Sequence, residues 1–242
     1  MSKNCYEYEV VLANTQESKE IHYKLRYQIY CLEKGFLEVE NPEEEMEKDY
    51  YDERSIHFLV KSGDRWIGTF RLVIDDFGAL PYYKVSGPDS RQFSQGKQKG
   101  AEFSRLGILR PFQKLRNDQS PDESPNKESE IMLKLLHAAR DYCRENCIDH
   151  IIFLCRRSIT RVLKQFELRA QQIGPTILHH GPRIPFAISL TDNHDGFDSL
   201  VDKHLSTPKS YSLYSEMSSG KVPQAFAAYK PVTLQCHSPQ LA

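Results

Sequence analysis

Six charged residues fall in or beside segments that must bury apolar faces. Arg26 lies on a predicted helix, Asp49 and Asp52 precede the first of two predicted strands, and Arg71 lies on the second. Glu102 and Arg105 follow in the run Glu102-Phe103-Ser104-Arg105. Such elements tolerate charges chiefly as pairs, because an unpaired buried charge is costly. Two arrangements meet that demand: one network of acids and arginines along a cleft, or a set of separate surface ion pairs. In a cleft, a carboxylate could accept a proton from a bound nucleophile. The arginines could orient the acids or hold a substrate carboxylate in a charge-assisted fork. Glu102 and Arg105 are three apart, so a regular strand sends them to opposite faces. A bulge or twist between them is expected if both serve one site; otherwise one faces the cleft and the other braces the hairpin.

The other reactive side chains read more plainly. Neither Cys31 nor Cys155 has a histidine placed by sequence to activate it, so both are expected to be packed thiols. His57 alternates with core residues and is either a general base or, the commoner arrangement, a hydrogen-bonded strand histidine. His179 and His180 are neighbours on a predicted strand and would point to opposite faces, a poor metal dyad. No metal site is expected. Cys143 and Cys147 share a helical face and read as small buried thiols rather than a metal or redox pair. The six cysteines, at 5, 31, 143, 147, 155 and 236, form neither a CxxC set nor a disulfide-like framework. Reduced thiols and a cytoplasmic location are therefore expected.

The elements that would carry these residues follow from periodicity. A helix is predicted over Ser18 to Lys34, capped by Ser18, with Ile21, Leu25, Ile29 and Leu32 as its apolar stripe and Gly35 as its stop. The acidic run Glu38 to Glu47 is too charged to be core and reads as an exposed loop or short helix. Strands over Ile56 to Lys61 and Trp66 to Ile74 flank a Ser62-Gly63-Asp64 turn. A loop then leads to a strand over Ala101 to Leu109, and a polar, proline-containing loop covers Arg110 to Lys127. Next come a helix over Glu128 to Glu145, a strand over Ile148 to Cys155, a helix over Ser158 to Gln172 and a strand over Thr176 to His180. That alternation indicates an α/β sheet with crossover connections. The reading is a single domain over residues 1–190, with 191–242 a C-terminal extension packed on it and loose at its end.

Bulk properties narrow the class. The chain has 242 residues and a formal net charge of -1, which gives nucleic-acid binding no bulk electrostatic support. The polar Met1 to Val10 has no apolar signal-peptide core, and no run approaches the roughly 20 apolar residues that span a bilayer. Neither nucleic acid nor a transmembrane segment is expected.

Several ordered blocks carry a resemblance. Arg26-Tyr27-Gln28-Ile29-Tyr30-Cys31-Leu32-Glu33-Lys34-Gly35-Phe36 is followed by Asp49-Tyr50-Tyr51-Asp52-Glu53-Arg54-Ser55-Ile56-His57-Phe58-Leu59. Ile67 to Val73, Glu102 to Leu106, Ile173-Gly174-Pro175 and His180 to Pro185 continue the pattern. The chain resembles, from about residue 20 to 190, the acyltransferases associated with bacterial PEP-CTERM/exosortase systems. More distantly it is similar to acyl-homoserine-lactone synthases and N-acyl amino acid synthases. The resemblance implies a GNAT-like fold, a mixed sheet whose central strands splay to admit the pantetheine arm of an acyl thioester. On the motif positions of the lactone synthases stand Arg26, Tyr30, Phe36, Asp49, Asp52, Arg71, Glu102 and Arg105. Tyr30 and Phe36 replace the Phe and Trp usual there, which keeps aromatic character but departs from the homoserine-type pattern.

What the resemblance implies for chemistry is transfer of a fatty acyl group from a thioester to a primary amine. Glu102 is the first candidate base and Asp49 the second. Arg71 and Arg105 orient the acids or hold the acceptor, while Arg26, Tyr30, Phe36 and Asp52 complete the binding site. Backbone N–H groups near Leu106 to Ile108 would meet the oxyanion. A CoA-dependent GNAT offers a Gly-rich turn after the central strand, where amides at a helix N-terminus bind pyrophosphate. Leu109 to Lys127 contains no glycine. That favours an acyl carrier protein over acyl-CoA as donor and partner, with no tightly bound cofactor and a small amine as acceptor. Two alternatives stand beside this: a lactone synthase using S-adenosylmethionine, and a non-catalytic module that binds a carrier protein or acylated ligand.

Overall fold

A computed structural model describes residues 8–86, 99–109, 127–165 and 168–191. The elements are β1 (Tyr8–Leu12), α1 (Gln16–Arg26), β2 (Ser55–Ser62), β3 (Arg65–Asp76), α2 (Tyr82–Val85), β4 (Lys99–Ile108), α3 (Lys127–Glu145), β5 (His150–Cys155), α4 (Arg157–Gln165), β6 (Gln171–Gln172), β7 (Ile177–Leu178) and β8 (Pro182–Ser189). The strands lie in the order β1-β2-β3-β4-β5-β8-β6, with β7 paired to β8. The β4–β5 pair is parallel and the other pairings are antiparallel.

The N-cap of α1 lies three residues earlier than predicted. Thr15 is the N-cap and Ser18 its partner: the Ser18 N–H donates to Thr15 Oγ1 at 3.2 Å, and the Thr15 N–H donates to Ser18 Oγ at 3.0 Å. This reciprocal pairing satisfies two N–H groups that the first turn leaves without helical partners. After Arg26 the helix widens into a π segment over Tyr27–Glu33, where the Lys34 N–H reaches back five residues to the Ile29 carbonyl. The wider winding rotates the apolar stripe. Ile29 is therefore sealed, whereas Leu32, predicted to share its face, is 59 % exposed. The buried face of α1 consists of Ser18, His22, Leu25 and Arg26. Gly35, at φ 59°, ends the segment as expected, in a conformation that suits glycine.

The two faces of the sheet differ in chemistry because side chains alternate along each strand. On one face Phe58, Phe70, Leu72, Ala101 and Ile151 form a common core with Ile131, Leu135 and Ala139 of α3. On the other face Leu59 packs with Leu25 of α1, and Val73, Ile152 and Ala187 pack with Phe77, Leu80, Tyr82 and Tyr83. His57, Arg71, Glu102 and Ser104 belong to this second face, through the cross-strand pairs His57–Arg71, Arg71–Ser104 and Val73–Glu102.

Four further expectations change. The segment after β3 is not plain loop: it holds a 3-10 turn over Phe77–Ala79 and the short helix α2. The second crossover helix ends at Gln165 rather than Gln172, because Gln171 and Gln172 pair with β8. Two strands without strong alternation, β1 and β8, were not expected, and both are held in place by their partners in the sheet. Cys147 is exposed and disulfide-bonded, so the packed-thiol reading holds for Cys143 alone of that pair. The proline-containing loop and the C-terminal extension lie outside the described residues, apart from Lys127, which opens α3, and Thr191. Among the described residues no helix is long and apolar enough to cross a membrane.

Candidate active site

The site is built where β4 leaves β5. The parallel pairing runs over Ala101–Ile151, Glu102–Ile152 and Phe103–Phe153 and then stops, although both strands continue. A bulge drives the separation. Thr69 faces Gly107 and Arg71 faces Ser104, so β4 has one more residue than β3 across the same stretch. Arg105 lies within that bulge at φ 52°. The irregularity expected between Glu102 and Arg105 is thus present, and it turns Arg105 toward the face that carries Arg71.

Three arginines and three carboxylates close into one network on that face. Arg26, with a fully buried side chain, donates from Nε to Glu47 and from Nη1 to Asp52. Arg71 donates to Asp49 at 2.6 Å, to Asp52 at 2.8 Å and to Ser104 Oγ at 2.9 Å. Arg105 holds Glu47 with two bonds of 3.0 Å and Asp49 with one of 2.9 Å. Burial opposes charge on Glu47, but hydrogen bonds from Arg105 and Arg26 pull its carboxyl down to about 2. Burial likewise opposes Asp49 and Asp52, and the arginines hold both below the usual carboxylate range. Asp49 and Arg105 are the most exposed members, so the network presents one acid and one cation toward the cleft.

Two corrections follow. Glu47 is buried and central, whereas its run was expected to be exposed; Arg26, Arg71 and Arg105 together carry one charge more than Asp49 and Asp52 could balance alone. Glu102 is not an arginine partner. It is 4 % exposed, and its Oε2 accepts the Tyr82 N–H at 2.7 Å. Desolvation pushes its carboxyl up to about 8, against the pull of that N–H, Arg71 and Arg105. With Glu47, Asp49 and Asp52 engaging Arg71 and Arg105, those two arginines neither orient Glu102 directly nor keep a vacant fork for an acceptor carboxylate.

The remaining candidates line the opening. The Tyr30 hydroxyl donates to the Leu106 carbonyl at 2.7 Å, and burial pushes that phenol up to about 12. Phe36 stacks on His180, with ring centroids 5.9 Å apart. Leu106 is partly exposed at the bulge and Ile108 is buried beyond it. Gly107 lets the π segment approach: a Cβ there would lie 2.9 Å from Ile29 Cγ2 and 3.4 Å from Tyr30 Cε2.

The histidines and thiols fall outside the chemistry. His57 Nε2 lies 3.2 Å from the Asp52 carbonyl, and burial lowers its pKa to about 4, the hydrogen-bonded arrangement expected. Its ring packs 4.6 Å from His22, whose affinity for a proton burial also lowers. His179 and His180 sit at the β7–β8 turn rather than along a strand, and no group of three metal-binding side chains occurs among the described residues. Burial raises the thiols of Cys31 and Cys155, which disfavours either as a nucleophile.

Residues 25–120 match the domain family described as "Acetyltransferase (GNAT) domain". No curated protein matches the chain. Among solved structures, MesI, a CoA-dependent acyl-homoserine lactone synthase, aligns with a TM-score of 0.59 and 16% identity, covering 87% of this chain and 100% of that one. BjaI, another CoA-dependent acyl-homoserine lactone synthase, solved with S-adenosylmethionine and isopentyl-CoA, aligns at 0.55 and 18%, covering 81% and 87%. FeeM, an N-acyl amino acid synthase from uncultured soil microbes, aligns at 0.56 and 14%, covering 78% and 94%. The fold is GNAT-like, and the matched domain is that of an acyltransferase.

Proposed function

We propose that the protein is an N-acyltransferase that moves a fatty acyl group from an acyl thioester, carried by an acyl carrier protein, to the amine of an amino acid or similar small acceptor. The observation that carries this reading is Glu102. It is set apart from the arginine network at the point where β4 and β5 diverge, and its carboxyl is raised to about 8. A general base works best when its pKa lies near the working pH. In the proposed step the amine nitrogen attacks the thioester carbonyl and its proton passes to Glu102, directly or through one water. The C–N bond forms, the C–S bond breaks, and the thiolate leaves as a thiol by taking back the proton that Glu102 accepted. Backbone N–H groups around Leu106 to Ile108 would meet the oxyanion, and the bond from Tyr30 to the Leu106 carbonyl supports fixing that stretch. Asp49, at the exposed edge of the network, would receive the acceptor's ammonium group before transfer.

A second reading, a lactone synthase that uses S-adenosylmethionine, is supported by the closed network of Arg26, Asp49, Asp52, Arg71 and Arg105, which holds every charged motif position of those enzymes except Glu102, set apart from it. Mass spectrometry of reactions containing acyl-carrier-protein thioesters, amino acids and S-adenosylmethionine separates the two. An acyl-amino acid supports the first, an acyl lactone the second. Absence of either product, with carrier-protein binding retained, would replace both by a non-catalytic binding module.

A further inference from the structure

Three cations converge at the open end of the cleft from three different elements. Arg156 follows β5 directly, Arg183 lies on β8, and Lys34 closes the π segment. The antiparallel pair Cys155–Ile184 places Arg156 and Arg183 in neighbouring register across β5 and β8. Arg156 Cζ lies 5.9 Å from the centroid of the Phe36 ring, and Lys34 Nζ lies 4.7 Å from that of Tyr30. Tyr30 in turn bonds Leu106 on β4. The cations therefore flank both arms of the opening, Lys34 through Tyr30 on the β4 side and Arg156 with Arg183 on the β5 side.

None of the three makes an ion pair among the described residues, in contrast to the ion-paired Arg26, Arg71 and Arg105 deeper in the site. Their proximity is unfavourable. Burial and then Arg156 lower the proton affinity of Lys34, with Arg183 adding to this and Glu33 and Glu128 opposing it. Burial and then Arg156 do the same to Arg183. Arg105 adds positive charge nearby, over the Tyr30 ring at 5.8 Å. A fold that gathers like charges without carboxylate partners, over an aromatic floor, gains most from an anion of high charge density.

We infer that Lys34, Arg156 and Arg183 form a phosphate site for the pantetheine arm of the acyl donor. This rests on the acyltransferase reading above. An arm entering between the diverging strands would carry its thioester toward Glu102 and leave its phosphate at the open end, among these cations. The site lies on the π segment, β5 and β8, rather than on the glycine-free stretch after β4. The phosphate is common to the prosthetic arm of a carrier protein and to CoA, so the cluster recognises the donor class through a group both share.

Binding separates this inference from the reaction itself. Titration of the full-length protein with phosphopantetheine and with pantetheine, which lacks the phosphate, should show tighter binding of the former by about tenfold or more. In an Arg156→Gln/Arg183→Gln variant, and separately in Lys34→Gln, that ratio should fall toward one, with thermal unfolding confirming that each variant is folded. Equal binding of the two ligands to the wild type would overturn the site while leaving acyl transfer standing. Holo carrier protein and CoA are then titrated against the same variants. Weakening of the carrier protein alone, of CoA alone or of both supports the site and names its source. Weakening of neither overturns it. Tests of turnover stay independent, since loss of acyl transfer with the phosphate ratio intact would dismiss the reaction and keep the site.

Discussion

The carboxylate of Glu47 is shared between Arg26, sealed inside the fold, and Arg105, which reaches it from the bulge in β4. One acid thus ties the first helix to the strand that opens the cleft. Removing it leaves two guanidinium groups poorly compensated, one of them fully buried. Glu47→Gln should cost about 3–5 kcal/mol, the range for breaking a buried pair by deleting one partner. Denaturant unfolding measures this directly, and a loss no larger than that of a surface ion pair would show that the network relaxes around the vacancy. The pH dependence has a definite sign. Glu47 is held at about 2 against an ordinary 4.5, so its contribution is present above about 4.5 and lost as pH falls toward 2. The variant should show a shallower acid limb over that window.

Glu102→Gln should lower turnover by about 10²–10⁴-fold, the usual worth of a positioned base. The fold should survive, because a neutral amide replaces a carboxyl already held largely neutral at pH 7. Wild-type activity should rise with pH through about 8 as Glu102 ionises, and the variant should lose that limb. Stability runs the opposite way. The folded carboxyl keeps its proton up to about 8 while the unfolded one releases it near 4.5, so stability falls as pH rises between those values. Glu102→Gln should flatten that fall. Unchanged turnover in the variant would remove Glu102 as base and leave Asp49 as the next candidate.

Charged residues on apolar elements were the legible part of the site. Arg26, Asp49, Asp52, Arg71 and Arg105 do meet, and the three-residue spacing of Glu102 and Arg105 announced the bulge that the structure contains. The α/β alternation and the β2–β3 hairpin were also readable, since turn and periodicity agree there. Glu47 was not, because it ends a solvated acidic run and only its last residue turns inward; the three assigned acids already balanced the three arginines, so no charge count announced it. The π segment was equally hidden, as a helical stripe in sequence does not show a change of winding. Glu102 shares the sheet face of Arg71 but does not pair with the arginines, because spacing fixes a face and not a hydrogen-bond partner. His22 escaped notice altogether, since a histidine one turn before Arg26 looks like part of a polar face.

The pair His22 and His57 should set a second acid limb, at higher pH than that of Glu47. Both rings are buried beneath the network, and burial holds His57 near 4 against an ordinary 6.5, with His22 also well lowered. For a base whose folded pKa is depressed, the unfolded chain takes up protons first, so stability falls as pH drops from about 6.5 toward 4. His57→Gln, which can still donate toward the Asp52 carbonyl, should make this fall shallower. Unfolding free energies at pH 7, 6 and 5 check it. An identical slope in wild type and variant would mean that the decline comes from other groups.

Gly107→Ala tests whether the close approach of the π segment to β4 matters for catalysis or only for packing. The added methyl would meet Ile29 Cγ2 at 2.9 Å and Ile29 Cδ1 at 3.2 Å, with the Tyr30 ring edge at 3.4 Å. Ile29 is fully buried, so it has little room to yield. Overpacking of this kind costs about 1–3 kcal/mol, measurable by denaturant unfolding. The same push should move Tyr30 away from the Leu106 carbonyl and disturb the backbone that would meet the oxyanion. The fall in kcat should therefore exceed the change in KM. Tyr30→Phe, which deletes the hydroxyl without the clash, should reproduce the kcat effect with a stability loss of only about 0.5–1.5 kcal/mol. If Gly107→Ala lowers stability while Tyr30→Phe leaves kcat untouched, the contact is packing alone and the Tyr30 bond does not position the reacting backbone.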